Sequence, residues 1–251
     1  DEAAFGESIS ALGFLPSDGP NGPTRPVTLN GGLLVAAINT PNPAASGDPV
    51  VVGTIRSDIT LAGGGIGGTS VDPTFAGSIT LQSISTVQTT DAVDNSTPRT
   101  IVLGTQTTVA GSADVLGNIN WGNATLAVNG SGILHIEKTQ GAITVTSGAT
   151  LQVNSGARVE LAGTVDALSD GVNNVNVTNN SIAGAAGLEI MSGTKNVGNI
   201  DGTGSTIVDS GAGLVANYVR QGSLTVNANT QIRENGSAAG VSNVGSLNLA
   251  A

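Results

Sequence analysis

Cysteine is absent from the 251-residue sequence, and histidine, methionine, tryptophan and tyrosine occur once each. The lack of cysteine excludes disulfides and thiolate chemistry. Because His135 is the single histidine, no cluster of histidines can bind a metal, and any Ser/His/Asp triad must use this residue. Apolar residues flank it in the predicted strand from Gly132 to Glu137, so we interpret His135 as a structural or surface-facing residue.

Charge is also scarce in this chain. Charged residues make up 10% of it, against about 25% in typical globular domains. The eight Lys and Arg residues are scattered from Arg25 to Arg233 and the net charge is −10, so we expect no nucleic-acid partner. The hydrophobic content of 39% nevertheless indicates a folded chain. Asn, Thr, Ser and Gly then supply a neutral polar surface.

Long apolar runs are missing as well. None approaches the roughly 18 residues of a membrane helix, so no membrane span is predicted. The N-terminus, Asp1 to Ala4, lacks both Met and the basic residues that open a signal peptide. We therefore expect a bacterial-type exported protein, extracellular or at the cell surface, whose signal peptide has been removed.

What the sequence does contain is a series of short apolar runs. From about residue 50 they alternate with Gly or Asn turns at a period of roughly ten residues, a pattern typical of all-β folds. With 2% aromatic residues, the core must consist of small and β-branched side chains in thin layers. In the clearest stretch, from Ala142 to Leu168, the predicted inward residues are Ile143, Val145, Leu151, Val153, Val159, Leu161, Val165 and Leu168.

Turn spacing distinguishes two all-β architectures. Ser147-Gly148-Ala149 and Ser155-Gly156-Ala157 repeat at an eight-residue offset between short strands. Such repeated corners favour a parallel β-helix (β-solenoid), whose coils bury their apolar faces by stacking on one another. A β-sandwich with longer strands and tight hairpins is the alternative. About 20 to 25 residues per coil predicts about eight to ten coils, which at ~4.8 Å per strand form a rod of roughly 40 to 50 Å.

Residues 1–49 differ from the rest because they contain seven of the nine prolines, which interrupt strand ladders. We predict a Pro-rich N-terminal cap or arm over residues 1–49 and a β-solenoid body over residues 50–251. Within the N-terminal segment, Val27 to Ile38 is apolar enough for a hairpin or a packed strand pair, with Asn30-Gly31-Gly32 as its turn.

A family resemblance is found near the C-terminus. It rests on GLVANYVRQ (213–221), SLTV (223–226), IRENG (232–236) and SLNL (246–249). The segment resembles a recurrent part of secreted planctomycete-type proteins that carry a PEP-CTERM sorting tail and autotransporter-like β-strand repeats. The resemblance covers residues 207–250, under a fifth of the chain, with a looser similarity from about residue 123. It implies an exported surface or matrix protein with a β-helical body, and it supplies no catalytic residues.

Two stretches deserve inspection as ligand sites. The glycine-rich stretch Gly63 to Gly68 is not followed by the Lys-Ser/Thr of a phosphate-binding loop, and it lacks the aspartate of calcium-binding β-roll repeats. We predict an ordinary loop there. The acidic loop from Asp91 to Asp94 stays open as a calcium site, although no metal or cofactor is assigned.

Paired carboxylates can hydrolyse polysaccharide. The acidic residues considered do not cluster and lack a basic partner and aromatic sugar platforms. They are Glu160, Asp166, Asp170, Asp201 and Asp209. Trp121 and Tyr218 are interpreted as packing anchors. No catalytic, cofactor-binding or metal-binding residue is assigned, and we predict that the protein is not an enzyme.

Asparagine is frequent enough to form Asn-x-Ser/Thr triplets by chance. The triplets begin at Asn95, Asn123, Asn129, Asn176, Asn179 and Asn235. In a solenoid, asparagines at equivalent positions of successive coils form amide ladders, and the segment from Asn173 to Asn180 suits such a region.

The sequence therefore predicts an extracellular structural subunit that assembles head to tail with copies of itself into a fibre or matrix. In the specific form of this hypothesis, the first ~35 residues cap or pair with the end coil of a neighbour by β-augmentation. The alternative is a monomeric module whose flat Thr/Asn/Ser face binds extracellular glycan or ice. Outward Thr rows in register would favour it, but the sequence shows only scattered cases such as Thr144-Val145-Thr146. An enzyme acting on polysaccharide is the third hypothesis.

Overall fold

The protein is described here by a computed structural model, which covers residues 26–37, 54–55, 58–69, 73–75, 77–104, 118–139, 141–182, 186–227, 231–234 and 242–249. Across these ranges every regular element is a β-strand, and no helix is present. The strands are β1 (Val27–Leu29), β2 (Leu33–Ala37), β3 (Thr54–Ile55), β4 (Ile59–Leu61), β5 (Gly65–Thr69), β6 (Thr74–Phe75), β7 (Ile79–Leu81), β8 (Ser85–Gln88), β9 (Thr100–Gly104), β10 (Ile119–Asn120), β11 (Thr125–Asn129), β12 (Ile133–Glu137), β13 (Ile143–Thr144), β14 (Thr150–Val153), β15 (Arg158–Ala162), β16 (Asn176–Asn179), β17 (Leu188–Ile190), β18 (Thr194–Asp201), β19 (Ser205–Val208), β20 (Gly213–Val226), β21 (Gln231–Glu234) and β22 (Asn243–Leu249).

The strands stack in three parallel ladders. The first ladder is the five-stranded sheet β1-β4-β7-β10-β13. The second runs through β2, β5, β8, β11, β14 and β16 to β18, and the third through β3, β6, β9, β12, β15 and β17 to β19. The long strand β20 and then β22 extend the second and third ladders. Each three-sided turn of the chain is one coil, and the strands define nine coils in the described part.

This arrangement is the predicted parallel β-helix, and the predicted all-β class is confirmed. The described strands pair only in parallel, and the antiparallel contacts within the same ranges are the isolated bridges Thr90–Pro98 and Ser169–Asn174. A β-sandwich is built from antiparallel strands, so the alternative architecture is wrong. The coil length varies more than expected, from 18 residues between the paired Leu188 and Thr206 to 41 between the paired Ser85 and Leu126.

Inward side chains form continuous columns along the rod. One column of the third ladder consists of Phe75, Leu103, Ile136, Leu161, Ile190, Val208, Val226 and Leu249. From Phe75 to Val208 its members are buried. Burying a Val, Leu or Ile side chain contributes about 1.5–3 kcal/mol, so these columns supply the stability that a larger aromatic core would give elsewhere.

The stretch from Ala142 to Leu168 shows how the sequence produces a coil. The predicted inward residues Val145, Leu151, Val153, Val159, Leu161 and Leu168 are buried, as expected, while Ile143 and Val165 are half-buried. The turns Thr146–Ala149 and Asn154–Ala157 are successive corners of one coil. In each, the last residue donates its N–H to the carbonyl of the first at 3.1 Å. Gly148 and Gly156 have φ of +99° and +91°, the left-handed region that glycine enters without strain.

The coil stack begins inside the N-terminal segment. β1 pairs in parallel with β4, and β2 pairs in parallel with β5. A hairpin over Val27 to Ile38 is therefore wrong, because β1 and β2 are consecutive sides of the first coil and do not pair with each other. The expected turn is present between them, since Gly31 and Gly32 have φ of +94° and +72°. Of the cap or arm predicted over residues 1–49, residues 26–37 belong to the first coil, and residues 1–25 and 38–49 lie outside the described residues.

Candidate functional site

Ionisable side chains concentrate on the outer face of the third ladder. Register places His135, Glu160 and Glu189 side by side on β12, β15 and β17. The Nδ1 atom of His135 lies 2.9 Å from Oε2 of Glu160. Arg158 contacts both carboxylates, with its Nη2 3.3 Å from Oε1 of Glu160 and hydrogen-bonded to Glu189. We call these residues and Glu137, 3.7 Å from His135, the charged cluster.

The charged cluster joins three coils. Both oxygens of Glu160 are already engaged by His135 and Arg158, and side-chain exposure is low for outward residues on a sheet. The prediction that His135 is structural or surface-facing agrees with this position. The cluster thus acts as a set of cross-coil ion pairs, and its carboxylates are held by protein partners.

A second group of polar residues lies between β8 and β9. The carboxylate of Asp91 is buried and accepts hydrogen bonds from Oγ1 of Thr69 (2.8 Å), the N–H of Val93 (2.9 Å) and Nε of Arg99 (3.0 Å). Asp94 accepts from the N–H groups of Ser96 and Thr97, both at 2.8 Å. These bonds hold the loop between β8 and β9 against the coil.

The calcium site considered for this loop receives no support from its geometry. The Asp91 carboxylate is occupied by Arg99, whose positive charge opposes a second cation. The hydroxyl and N–H of Thr97 and the N–H of Ser96 hold Asp94, and they lower the pKa of that carboxyl to about 2. Within the described ranges no group of three or more His, Asp or Glu side chains is arranged to hold a metal ion.

Three other carboxylates named in the sequence analysis, those of Asp166, Asp170 and Asp209, each have separate hydrogen-bond partners. Asp166 is bonded to the N–H (2.6 Å) and Nδ2 (2.8 Å) of Asn196, and burial raises its pKa. Asp170 caps the loop by accepting the N–H of Asn173 at 2.7 Å, which lowers its pKa. Asp209 accepts from Nδ2 of Asn227 at 3.1 Å. Each of these three carboxylates is held by hydrogen bonds from neighbouring asparagines.

A buried lysine replaces a hydrophobic residue in the core near Asp166. Lys195 points inward on β18, where the next coil has Leu214. Its Nζ donates to the carbonyl oxygens of Ala162, Gly163 and Val165 at 3.3, 2.8 and 3.2 Å. Burial lowers its pKa. The lysine therefore satisfies three backbone carbonyl groups at and just after the end of β15, which is a structural role.

The two large amphipathic rings behave differently. Trp121 is buried, and its Nε1–H donates to the carbonyl of Ala167 at 2.8 Å, so the packing-anchor prediction is confirmed. For Tyr218 it is wrong. This ring is half-buried on the outer face, its hydroxyl donates to Oδ2 of Asp201 at 2.9 Å, and the Arg220 guanidinium lies 4.1 Å from the ring centroid. The hydrogen bond to Asp201 raises the pKa of Tyr218.

Arg220 also lines an open depression at the corner between the second and third ladders. The depression has a volume of about 440 Å³ and is lined by Gly202, Arg220, Gln221 and Asn243. Gly202 has φ of +126°, and a Cβ there would meet the carbonyl oxygen of Asn179 at 2.1 Å. Glycine at this corner lets the coils stack closely and leaves the depression without a side chain on that side.

The glycine-rich stretch proves to be mostly strand. Gly65 to Gly68 belong to β5, which pairs with β2 and β8, so the loop prediction is wrong beyond Gly63 and Gly64. The physical reason is close approach: a Cβ on Gly65 would meet Oγ1 of Thr86 at 2.3 Å, and one on Gly64 would meet Cβ of Leu29 at 2.6 Å. The glycines are packing residues with no phosphate-binding geometry.

The outer face of the first ladder carries one row of threonines. Register aligns Thr28, Thr60, Thr80, Asn120 and Thr144 on the five strands. All five are exposed or half-exposed. The row cannot be recognised in the sequence, because the coils differ in length and its residues are therefore unevenly spaced along the chain.

Asparagine side chains link neighbouring coils as short ladders. Nδ2 of Asn154 donates to Oδ1 of Asn129 at 2.6 Å, and Nδ2 of Asn217 donates to Oδ1 of Asn199 at 3.3 Å. In the predicted ladder segment, Asn179 is buried and donates to the carbonyl of Ser205 at 2.8 Å. The asparagines therefore bridge coils, but in the predicted segment Asn176 and Asn179 bond to backbone groups of the next coil, so an amide ladder is not what these two residues form.

The last described coil leaves two core positions exposed. On β22, Leu247 and Leu249 continue the inward columns of the third ladder, but they are 55% and 73% exposed. Their partners Leu224 and Val226 in the preceding coil are buried and half-buried. At the other end, Val27, Leu29 and Leu34 of the first coil are buried. Neither the first-coil strands nor β22 has a second ladder partner among the described residues.

Comparison with protein families, with curated proteins and with solved structures gives no match to this chain. In the part of the chain that the structure describes, no helix is both long and apolar enough to cross a membrane.

Proposed function

We propose that this chain is an extracellular structural protein without catalytic activity, a subunit that associates end to end with copies of itself into a fibre or matrix. The observation that carries the proposal is the exposure of two core positions in the last described coil. Leu247 and Leu249 continue the inward columns of the third ladder, yet among the described residues they are exposed. Strands with unpaired edges template association with another chain.

The composition of the last strand supports this contact. β22 reads NVGSLNL and contains no charged residue and no proline, which are two of the devices that natural proteins use to block edge-to-edge pairing. Adding one coil from a neighbour would continue the parallel ladders and bury both leucines. The other exposed large apolar residues in the described ranges lie on loops, whereas Leu247 and Leu249 are on a strand at core positions; the loop residues are Ile84, Val93, Val172, Ile182 and Met191.

In its specific form, the proposal assigns the contact on the neighbour to the N-terminal residues, by β-augmentation. Because β1 and β2 belong to the first coil, the arm of this hypothesis is limited to residues 1–25. Deletion of residues 1–25 is expected to abolish assembly while leaving the coils folded. Assembly that is intact after this deletion would contradict the arm form alone.

The end contact is tested by sedimentation velocity at increasing protein concentration. We expect the wild-type chain to associate and the double variant Leu247→Asn, Leu249→Asn to remain monomeric. The control is Val172→Asn, because Val172 is 86% exposed on a loop away from the end. A monomeric wild-type chain would contradict the proposed function, and association of the double variant would contradict the end contact.

The threonine row favours a second candidate function, a monomeric module that binds an ordered surface such as glycan or ice. Thr28, Thr60 and Thr80 repeat in register at the ~4.8 Å spacing of neighbouring strands, and Thr144 continues the row on the far side of Asn120. Binding of the wild-type chain to insoluble polysaccharide or to ice, lost in Thr60→Lys and Thr80→Lys, would favour this function over self-assembly. If the lysine variants bound as well as the wild type, the threonine row would be excluded as the binding surface.

A further inference from the structure

The corner of the first coil between β1 and β2 exposes an Asn-Gly pair. Asn30, Gly31 and Gly32 are all exposed, and the two glycines have φ of +94° and +72°. A Cβ on Gly31 would meet nothing within 4 Å. Within the described part of the structure, neither the side-chain amide of Asn30 nor the N–H of Gly31 makes a hydrogen bond. Both groups are therefore open to water and held by no partner in these ranges.

These two groups are the reactants of asparagine deamidation. The backbone nitrogen of the following residue forms a bond to Cγ of the asparagine, and the side-chain NH2 leaves with the backbone amide proton as ammonia. Water then opens the resulting cyclic succinimide at one of its two carbonyl carbons, which gives either aspartate or isoaspartate. The following residue favours ring closure when it is glycine, because glycine has no Cβ and reaches more backbone angles than any other residue.

Another Asn-Gly pair among the described residues is held in the opposite way. Asn129 ends β11, where its Oδ1 accepts from Nδ2 of Asn154 at 2.6 Å. Its carbonyl accepts from the N–H and the hydroxyl of Thr89 at 2.8 and 2.7 Å. A Cβ on Gly130 would meet the backbone nitrogen of Thr90 at 2.7 Å, so this corner packs closely. Ring closure at Asn129 breaks these contacts and therefore requires local opening of the coil.

We propose that Asn30 is a site of spontaneous deamidation, which adds one negative charge to the first coil and, in the isoaspartate product, one extra backbone atom at its corner. The second coil leaves little room for that atom. A Cβ on Gly64 would meet Cβ of Leu29 at 2.6 Å and the carbonyl oxygen of Gly31 at 2.9 Å. The isoaspartate product therefore strains the contact between the first two coils. The reaction needs no partner chain and does not depend on end-to-end assembly.

The test is incubation of the purified full chain at mildly alkaline pH, followed by peptide mapping with mass spectrometry. Exchange of the amide for a carboxylate raises the peptide mass, and electron-transfer fragmentation distinguishes isoaspartate from aspartate. We expect Asn30 to convert at least about tenfold faster than Asn129 in the folded chain, because Asn129 reacts only in locally opened molecules. In concentrated urea the two residues should convert at similar rates, since glycine follows both.

Two variants serve as controls. Asn30→Gln keeps a side-chain amide but has to close a larger ring, so residue 30 should stay unmodified. Freshly prepared Asn30→Asp has the added charge without the extra backbone atom. Hydrogen exchange in β1 and β2 should be faster in the chains that contain isoaspartate at position 30 than in Asn30→Asp.

Two results would overturn the proposal. One is an Asn30 that stays intact in the folded chain, and the other is equal conversion of Asn30 and Asn129 in the folded chain. Equal hydrogen exchange in the isoaspartate chains and in Asn30→Asp would contradict the strain between the first two coils.

Discussion

Glycine at the corners of the coils can be tested with a matched pair of alanine substitutions. Gly163 and Gly171 have φ of +79° and +86°, so alanine meets similar backbone strain at both. A Cβ on Gly163 would also meet the carbonyl oxygen of Lys138 at 2.1 Å, whereas nothing lies within 4 Å at Gly171. We expect Gly171→Ala to lower the free energy of unfolding by about 1 kcal/mol, and Gly163→Ala by about 2–3 kcal/mol more.

Urea denaturation followed by circular dichroism measures both free energies. Equal effects of the two substitutions would show that only the backbone angle matters at these corners. Such a result would contradict the close coil-to-coil contact at Gly163.

Asp94 makes the stability of the loop between β8 and β9 depend on pH. The hydroxyl and N–H of Thr97 and the N–H of Ser96 lower its pKa from 3.8 to about 2. The folded-state pKa is below the unfolded value, so the stabilisation is complete above about pH 4 and is lost as the pH falls through 2. We expect an NMR carboxyl titration of Asp94 with a midpoint near 2, and a smaller acid sensitivity between pH 4 and 2 in Asp94→Asn. A midpoint near 3.8 would contradict the hydrogen bonds that Asp94 accepts from Ser96 and Thr97.

At the scale of single residues, the sequence predicted inward side chains better than outward ones. Strand alternation is local, so Leu151, Val159 and Leu161 could be placed in the core without knowing their neighbours. Tyr218 could not be placed, because its partners Asp201 and Arg220 meet it only through coil register. The same holds for Glu160, whose contact with Glu189 spans 29 residues of sequence.

At the scale of the strand columns, two leucines offer a direct comparison. Leu161 and Leu249 belong to the same column of the third ladder, but Leu161 is fully buried and Leu249 is 73% exposed. Leu161→Ala should destabilise the monomer by about 2–5 kcal/mol because it leaves a cavity. Leu249→Ala should change it by less than about 0.5 kcal/mol. Thermal and urea unfolding at low protein concentration check both values.

If Leu249→Ala were as destabilising as Leu161→Ala in the monomer, the end of the column would have to be covered within one chain. That result would remove the main support for the end contact. A small effect in the monomer, together with weakened association, is the outcome that the proposed function predicts.

Element types followed from the sequence where turn residues were distinctive. The two Ser-Gly-Ala corners are an example, because glycine with positive φ followed by a buried alanine marks each side of the coil. The glycine-rich β5 was misread as a loop, since glycine in a strand carries no apolar alternation and its cause, the contact of Gly65 with Thr86, comes from the next coil. β1 and β2 were misread as a hairpin because apolar runs do not show pairing direction.

At the scale of the whole molecule, the parallel stack was predictable because short strands and repeated corners cannot bury their apolar faces within one coil. The number of coils was also in the expected range. The threonine row was not predictable, because coil lengths of 20 and 40 residues bring Thr60, Thr80 and Asn120 into line. The exposure of Leu247 and Leu249 was not predictable either, because it depends on which residues the last described coil places in the columns.

The most direct test of the central claim is electron microscopy of the purified chain in negative stain at increasing concentration. Nine coils at ~4.8 Å give a rod of roughly 40 Å. The proposed function predicts chains of rods joined at their ends with a repeat near this length, and their loss in the variant Leu247→Asn, Leu249→Asn. Dispersed single rods at every concentration would contradict end-to-end assembly and would favour the surface-binding function instead.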